Sequence, residues 1–98
     1  MALKVNWSPL AQEKRKNILE YWKESNGNSI YSIKLNSLFK EAVQQLAKFP
    51  YLGRASDIEG VRVKIVRDYL LFYEVTESSI EILTVWDSRQ DPGELKIR

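Results

Sequence analysis

The apolar residues of this chain change their period once, at Pro50, and that change fixes what the chain can fold into. Before it, Leu35, Leu38, Phe39, Ala42, Val43, Leu46 and Phe49 recur at spacings of three and four. This pattern predicts a helix over 29–48 with one wide apolar stripe, ended by Pro50, because the residue before a proline disfavours helical geometry. Upstream, 4–7 reads as a short strand. Ser8-Pro9 then reads as a cap and first helical residue, opening a helix over about 9–25. Ala11, Ile18 and Trp22 share one side of it, with Leu19 beside them, and Asn26-Gly27-Asn28 stops it. After Pro50 comes a stretch over 50–60 rich in turn residues. From Val61 the pattern is extended: 61–66 alternates, 69–75 is apolar and aromatic, and 80–86 forms a further strand, with turns at Arg67-Asp68 and 76–79. The predicted order is β-α-α-β-β-β. The expectation is an α+β fold in which an antiparallel helix hairpin packs on one face of a small, mostly antiparallel sheet. The tail, 87–98, is polar, carries Pro92-Gly93, and reads as irregular with at most a short helical turn.

At 98 residues the chain is one domain, 1–98, with one modest core. It has neither cysteine nor histidine. A disulfide framework, a thiolate nucleophile and a histidine acid–base pair are therefore excluded. No phosphate loop, dinucleotide fingerprint or nucleophile elbow occurs, and no cofactor is expected. Asp87, Asp91 and Glu94 gather acidic groups in the tail, but no histidine completes a set and no metal site is expected. No stretch is apolar and long enough for a membrane span or a signal peptide, so a cytoplasmic location is expected. The net charge of +2 is too small to announce a nucleic-acid binder by itself.

The candidate site is basic: Arg54, Arg62, Lys64, Arg67 and Arg89. Arg62 and Lys64 lie two apart in one strand and leave by the same face, expected to be the face that the helices leave open. Arg67 follows at the turn, and Arg89, after the last strand, is expected to return to the same neighbourhood. A guanidinium presents a rigid fork of donors that suits phosphate or carboxylate, so such a cluster fits a nucleic-acid backbone or a transferring phosphoryl group. The bland alternative is a solvated face balanced by Glu74 and Glu81. Tyr69, Phe72, Tyr73 and Trp86 are read as core, and Tyr31 and Tyr51 as half-buried.

Five segments, in order along the chain, resemble the RelE/ParE toxin superfamily: Val5-Asn6-Trp7-Ser8-Pro9-Leu10-Ala11; Leu46-Ala47-Lys48-Phe49-Pro50-Tyr51-Leu52-Gly53-Arg54; Gly60-Val61-Arg62; Tyr69-Leu70-Leu71-Phe72-Tyr73-Glu74-Val75; and Ile82 through Pro92. The resemblance is closer to ParE-like members. It implies the toxin half of a type II toxin–antitoxin (plasmid stabilisation, addiction-module) pair, neutralised by a cognate antitoxin that is acidic and partly disordered. The superfamily offers two targets: DNA gyrase for ParE-like members, or the ribosome with its mRNA for RelE-like endoribonucleases. The nuclease type would use Arg62, Lys64 and Arg89 as its catalytic set. However, Leu70 stands where that type carries another arginine and Leu95 where it carries a late tyrosine. Nothing obvious remains to take the 2′-hydroxyl proton unless Lys64 has a depressed pKa or a tyrosine arrives from another element. The resemblance therefore favours gyrase inhibition, leaving open whether the chain is an enzyme. A degenerate toxin that keeps only binding is the third possibility.

Overall fold

In a computed structural model the described residues are 2–97; Met1 and Arg98, the outer ends of the single-domain and tail expectations, lie outside them. Strand β1 (Lys4–Trp7) leads into helices α1 (Pro9–Asn26) and α2 (Ile30–Lys48). Strands β2 (Arg54–Ala55), β3 (Arg62–Val66), β4 (Tyr69–Val75) and β5 (Ser79–Asp87) follow, and a 3₁₀ turn spans Pro92–Glu94. The sheet order is β1-β5-β4-β3-β2. Every pairing is antiparallel except β1 with β5, which is parallel. The α1–α2 connection supplies the crossover that such a pair requires.

The local causes are those that the sequence suggests. The Ser8 hydroxyl accepts from the Ala11 amide at 3.0 Å, satisfying one of the free donors of the first turn of α1. Gly27 closes α1 in the left-handed region at φ 69°, which costs a glycine little. The 66–69 hairpin is tighter than its residues prefer: Arg67, its first central residue, sits at φ 57°, a place usually taken by glycine, asparagine or aspartate.

Both faces of the sheet are covered. On one, Ala11, Leu35, Phe39, Ala42 and Leu46 of the helices meet Tyr69, Leu71, Tyr73, Ile80, Ile82 and Val85. On the other, Val61, Val63, Phe72, Leu83 and Trp86 form a smaller cluster, with Leu70, Leu95 and Ile97 packed against it. The tail is thus not free: it lays two apolar side chains across the second face, while its 3₁₀ turn is capped by Asp91, which accepts from the Gly93 amide at 2.9 Å.

A β-bulge shifts the alternation of β5 by one residue, so that Ile80 and Ile82 before it and Val85 after it all lie under the helices. Phe72 pairs with Thr84 and Tyr73 with Ile82, so Leu83 is the extra residue. Its carbonyl accepts the Ser8 hydroxyl at 2.8 Å, tying the start of α1 to the centre of the sheet. The Oγ1 of Thr84, beside the bulge, is buried without a hydrogen-bond partner.

Candidate functional site

The hairpin register decides where the basic side chains go. Arg62 pairs with Tyr73 and Lys64 with Leu71, and both partners belong to the core under the helices. Directly opposed residues share a face, so Arg62 and Lys64 leave on the helix side. The expectation that they occupy an open face is overturned. The valines explain why: Val61 and Val63 are the residues buried on the second face, against Phe72 and Trp86. That face is an apolar surface partly roofed by the tail, not an open basic one.

Arg62 is tied to a loop. The segment from Pro50 to Arg54 must turn from the end of α2 back to the sheet edge. The buried Tyr73 hydroxyl anchors it, accepting from the Gly53 amide at 3.0 Å and donating to the Pro50 carbonyl at 2.8 Å. Arg62 Nε and Nη2 then donate to the Gly53 carbonyl at 2.9 and 2.5 Å, and Nη2 reaches the Tyr51 carbonyl at 3.2 Å. Its guanidinium carbon lies 5.3 Å from the centroid of the Tyr51 ring, within the range of a cation–π contact. Tyr51 itself is 69% exposed rather than half-buried, because the loop holds the ring outside the sheet edge. Most of the donor fork of Arg62 is thereby committed to backbone oxygens.

The other basic residues do not join it. Arg54 is exposed on β2 and borders the second-face groove, beside Val63, Phe72 and Trp86. Lys64 and Arg67 border a shallow groove against α2, with Leu38, Glu41 and Gln45. Arg89 lies at the far end of β5, in a cleft against α1. There its Nε and Nη2 hold both carboxylate oxygens of Asp87 at 2.9 and 2.8 Å, and its own amide donates to Asp87 Oδ1 at 2.9 Å. These bonds hold the Asp87 carboxyl below the ordinary range and push the Arg89 guanidinium further up. The five basic side chains therefore line four depressions rather than one, and the expected return of Arg89 to Arg62 does not occur. Glu81, offered as a balancing charge for a basic face, is occupied elsewhere. It accepts from Ser79 Oγ and Asn6 Nδ2, each at 2.7 Å, and those bonds lower its pKa.

Among the described residues the five basic side chains do not converge on one point. A phosphoryl-transfer centre needs its charged groups converging on one reacting atom and a group positioned to take a proton. Among the described residues the cations diverge, and the carboxylate held beside Arg89, that of Asp87, is tied up by the same guanidinium.

Comparison with known proteins gives the relationship. A family model described as ParE toxin of type II toxin-antitoxin system, parDE, matches residues 5–92. The chain belongs to the ParE toxin family. A solved chain from the chromosomal ParDE system of P. aeruginosa shares the fold, with a TM-score of 0.75 at 20% identity, over 86% of this chain and 94% of that one. No curated protein matches. A ParE-type toxin is the toxin member of a type II toxin–antitoxin pair, so an antitoxin is its partner. No helix of the described residues is long and apolar enough to cross a membrane.

Side chains outside the basic set also contribute to these surfaces. Gly53 and Tyr73 build the loop that consumes Arg62, and Lys14, Tyr21 and Tyr69 help form the cleft around Arg89. The spacing of Lys14, Asn17, Ile18 and Tyr21 at three and four along α1 was the available signal that these share a face.

Proposed function

We propose that this ParE-type toxin acts by binding DNA gyrase, and that an acidic, partly disordered antitoxin neutralises it. The observation that carries this reading is the commitment of Arg62 to the Tyr51 and Gly53 carbonyls. A side chain used to hold a loop is not available to stabilise a transferring phosphate, and Lys64 and Arg89 border different depressions. Inhibition by contact requires only a surface, and the surface here is varied. Phe49, Tyr51 and Leu52 are large apolar residues each more than half exposed, next to the free cation of Arg54. An acidic partner suits the exposed cations Arg54, Arg67 and Arg89; a partly disordered one suits grooves spread over several faces, because a chain that folds on binding can wrap them. A cytoplasmic site of action belongs to the same proposal, since gyrase and DNA are there.

The test compares two activities of the same antitoxin-free protein. It should inhibit supercoiling by purified gyrase, with relief by the antitoxin, and should not cut mRNA on translating ribosomes. Ribosome-dependent cleavage that is lost in Lys64→Ala and Arg89→Ala would replace this reading with the endoribonuclease one. Inertness in both assays, with no effect on growth, would replace it with a degenerate module.

A further inference from the structure

The cleft between α1 and the end of β5 is lined differently from the exposed apolar surface of Phe49, Tyr51 and Leu52. Its α1 wall is the stripe Lys14, Asn17, Ile18 and Tyr21, and across it stand Tyr69 and Arg89. Three features point to a ligand. Tyr69 is only 3% exposed, and its hydroxyl accepts from Trp22 Nε1 at 2.7 Å. Its own proton is committed to no acceptor among the described residues, and burial raises its pKa further from neutrality. Arg89 spends Nε and Nη2 on Asp87, which leaves the Nη1–Nη2 end of the fork unused. Tyr21 is 57% exposed and makes a T-shaped contact with Trp22 at 5.2 Å. With Lys14, the cleft has a net charge of one positive after Asp87 is counted.

We propose that this cleft binds a nucleotide-class ligand, with the phosphate held by Arg89 and Lys14, a hydrogen bond from the Tyr69 hydroxyl, and the base stacked on Tyr21. A two-donor fork and a point cation suit a phosphate. An exposed aromatic face stacks any base, which selects a nucleotide over a simple oxyanion. Asn17 and Gln90 flank the cleft with amides that can donate to or accept from a base edge. The site is independent of gyrase as target, and its test does not involve gyrase.

The measurement is NMR titration of the full-length, isotope-labelled chain with thymidine 5′-monophosphate, thymidine, inorganic phosphate and a glutamate-rich peptide. The nucleotide should shift the amides of residues 14–21 and 87–90 and bind more tightly than each of the other three. Tyr21→Ala should weaken it at least about fivefold, the low end of one stacked base. Lys14→Gln should weaken the nucleotide while leaving thymidine unchanged. Tyr69→Phe should weaken it too; the two surface variants keep the test decisive if loss of the Trp22 bond unfolds the protein. Phosphate binding as tightly as the nucleotide would overturn the base contact, and thymidine binding as tightly would overturn the phosphate contact. Tighter binding of the peptide, or shifts confined to other surfaces, would overturn the proposal altogether.

Discussion

Removing one oxygen atom, by Tyr73→Phe, should loosen the loop that carries Pro50, Gly53 and Arg62. The ring is fully buried and Phe keeps it, so the change isolates the hydroxyl. That hydroxyl serves the Gly53 amide, which is buried, and the Pro50 carbonyl, which is half-buried. A buried donor left without a partner costs about 1–3 kcal/mol. The Pro50 carbonyl can turn to water and loses less, about 0.5 kcal/mol. The expected loss is about 2–3 kcal/mol, or a fall in Tm of roughly 10–20 °C for a domain of this size. Urea unfolding should show a lower midpoint with an unchanged slope, since the buried surface is the same. Gly53→Ala supplies the control, because an added Cβ would sit 2.6 Å from both the Tyr73 hydroxyl and the Val63 carbonyl oxygen. Deleting the hydroxyl removes one of those clashes, so the double variant should be less destabilised than the two single losses together. A Tyr73→Phe loss below about 0.5 kcal/mol, the low end for one net hydrogen bond, or strict additivity with Gly53→Ala, would refute the account of this loop.

Three further outcomes follow from the same geometry. Thr84→Val replaces a buried, unpartnered hydroxyl with a methyl group and should stabilise the fold by about 1 kcal/mol; a clear loss in thermal unfolding would mean that the hydroxyl has a partner. Arg67→Gly relieves a left-handed residue in the hairpin turn and should be neutral to stabilising by up to about 1 kcal/mol, whereas destabilisation would show that the Arg67 side chain holds the turn. The Glu81 pKa is lowered by Ser79 and Asn6, so its contribution is present above the ordinary glutamate value of 4.5 and is lost as pH falls through the lower folded value. Glu81→Gln should therefore flatten the acid limb of stability against pH without abolishing it, since Asp87 is lowered as well; an unchanged limb would contradict the assignment.

Much of the fold was legible because local signals agreed. The three- and four-residue spacing of Leu35, Phe39, Ala42 and Leu46 marks a face that the structure buries, and Ser8-Pro9 starts a helix where capping chemistry says it should. Strand β2 was invisible, because two residues carry no period; only pairing with Arg62 and Val63 makes Arg54 and Ala55 a strand. The bulge at Leu83 was equally hidden, although it resets the alternation so that Ile82 and Val85 both lie under the helices while Leu83 and Trp86 face the other way. The expected placement of Arg62 and Lys64 failed at a single step. Alternation over 61–66 separates two sets of side chains but does not say which set faces the helices. Polarity suggested that Arg62 and Lys64 face solvent across an open sheet. In fact β3 lies near the sheet edge, where a long side chain can lie over apolar residues and still bring its charged head to a loop or to the rim of a groove. The alternation of Leu95 and Ile97 with Lys96 was the one hint that the tail covers the other face.

The central claim is that this toxin acts by contact rather than by a catalytic centre. It is tested most directly by titrating antitoxin-free protein into a gyrase supercoiling assay at two gyrase concentrations. Contact inhibition predicts that the toxin needed for half-inhibition rises in step with gyrase, and that the antitoxin restores supercoiling in full. No inhibition by folded toxin at several-fold excess over gyrase, together with ribosome-dependent mRNA cleavage by the same preparation, would contradict the claim.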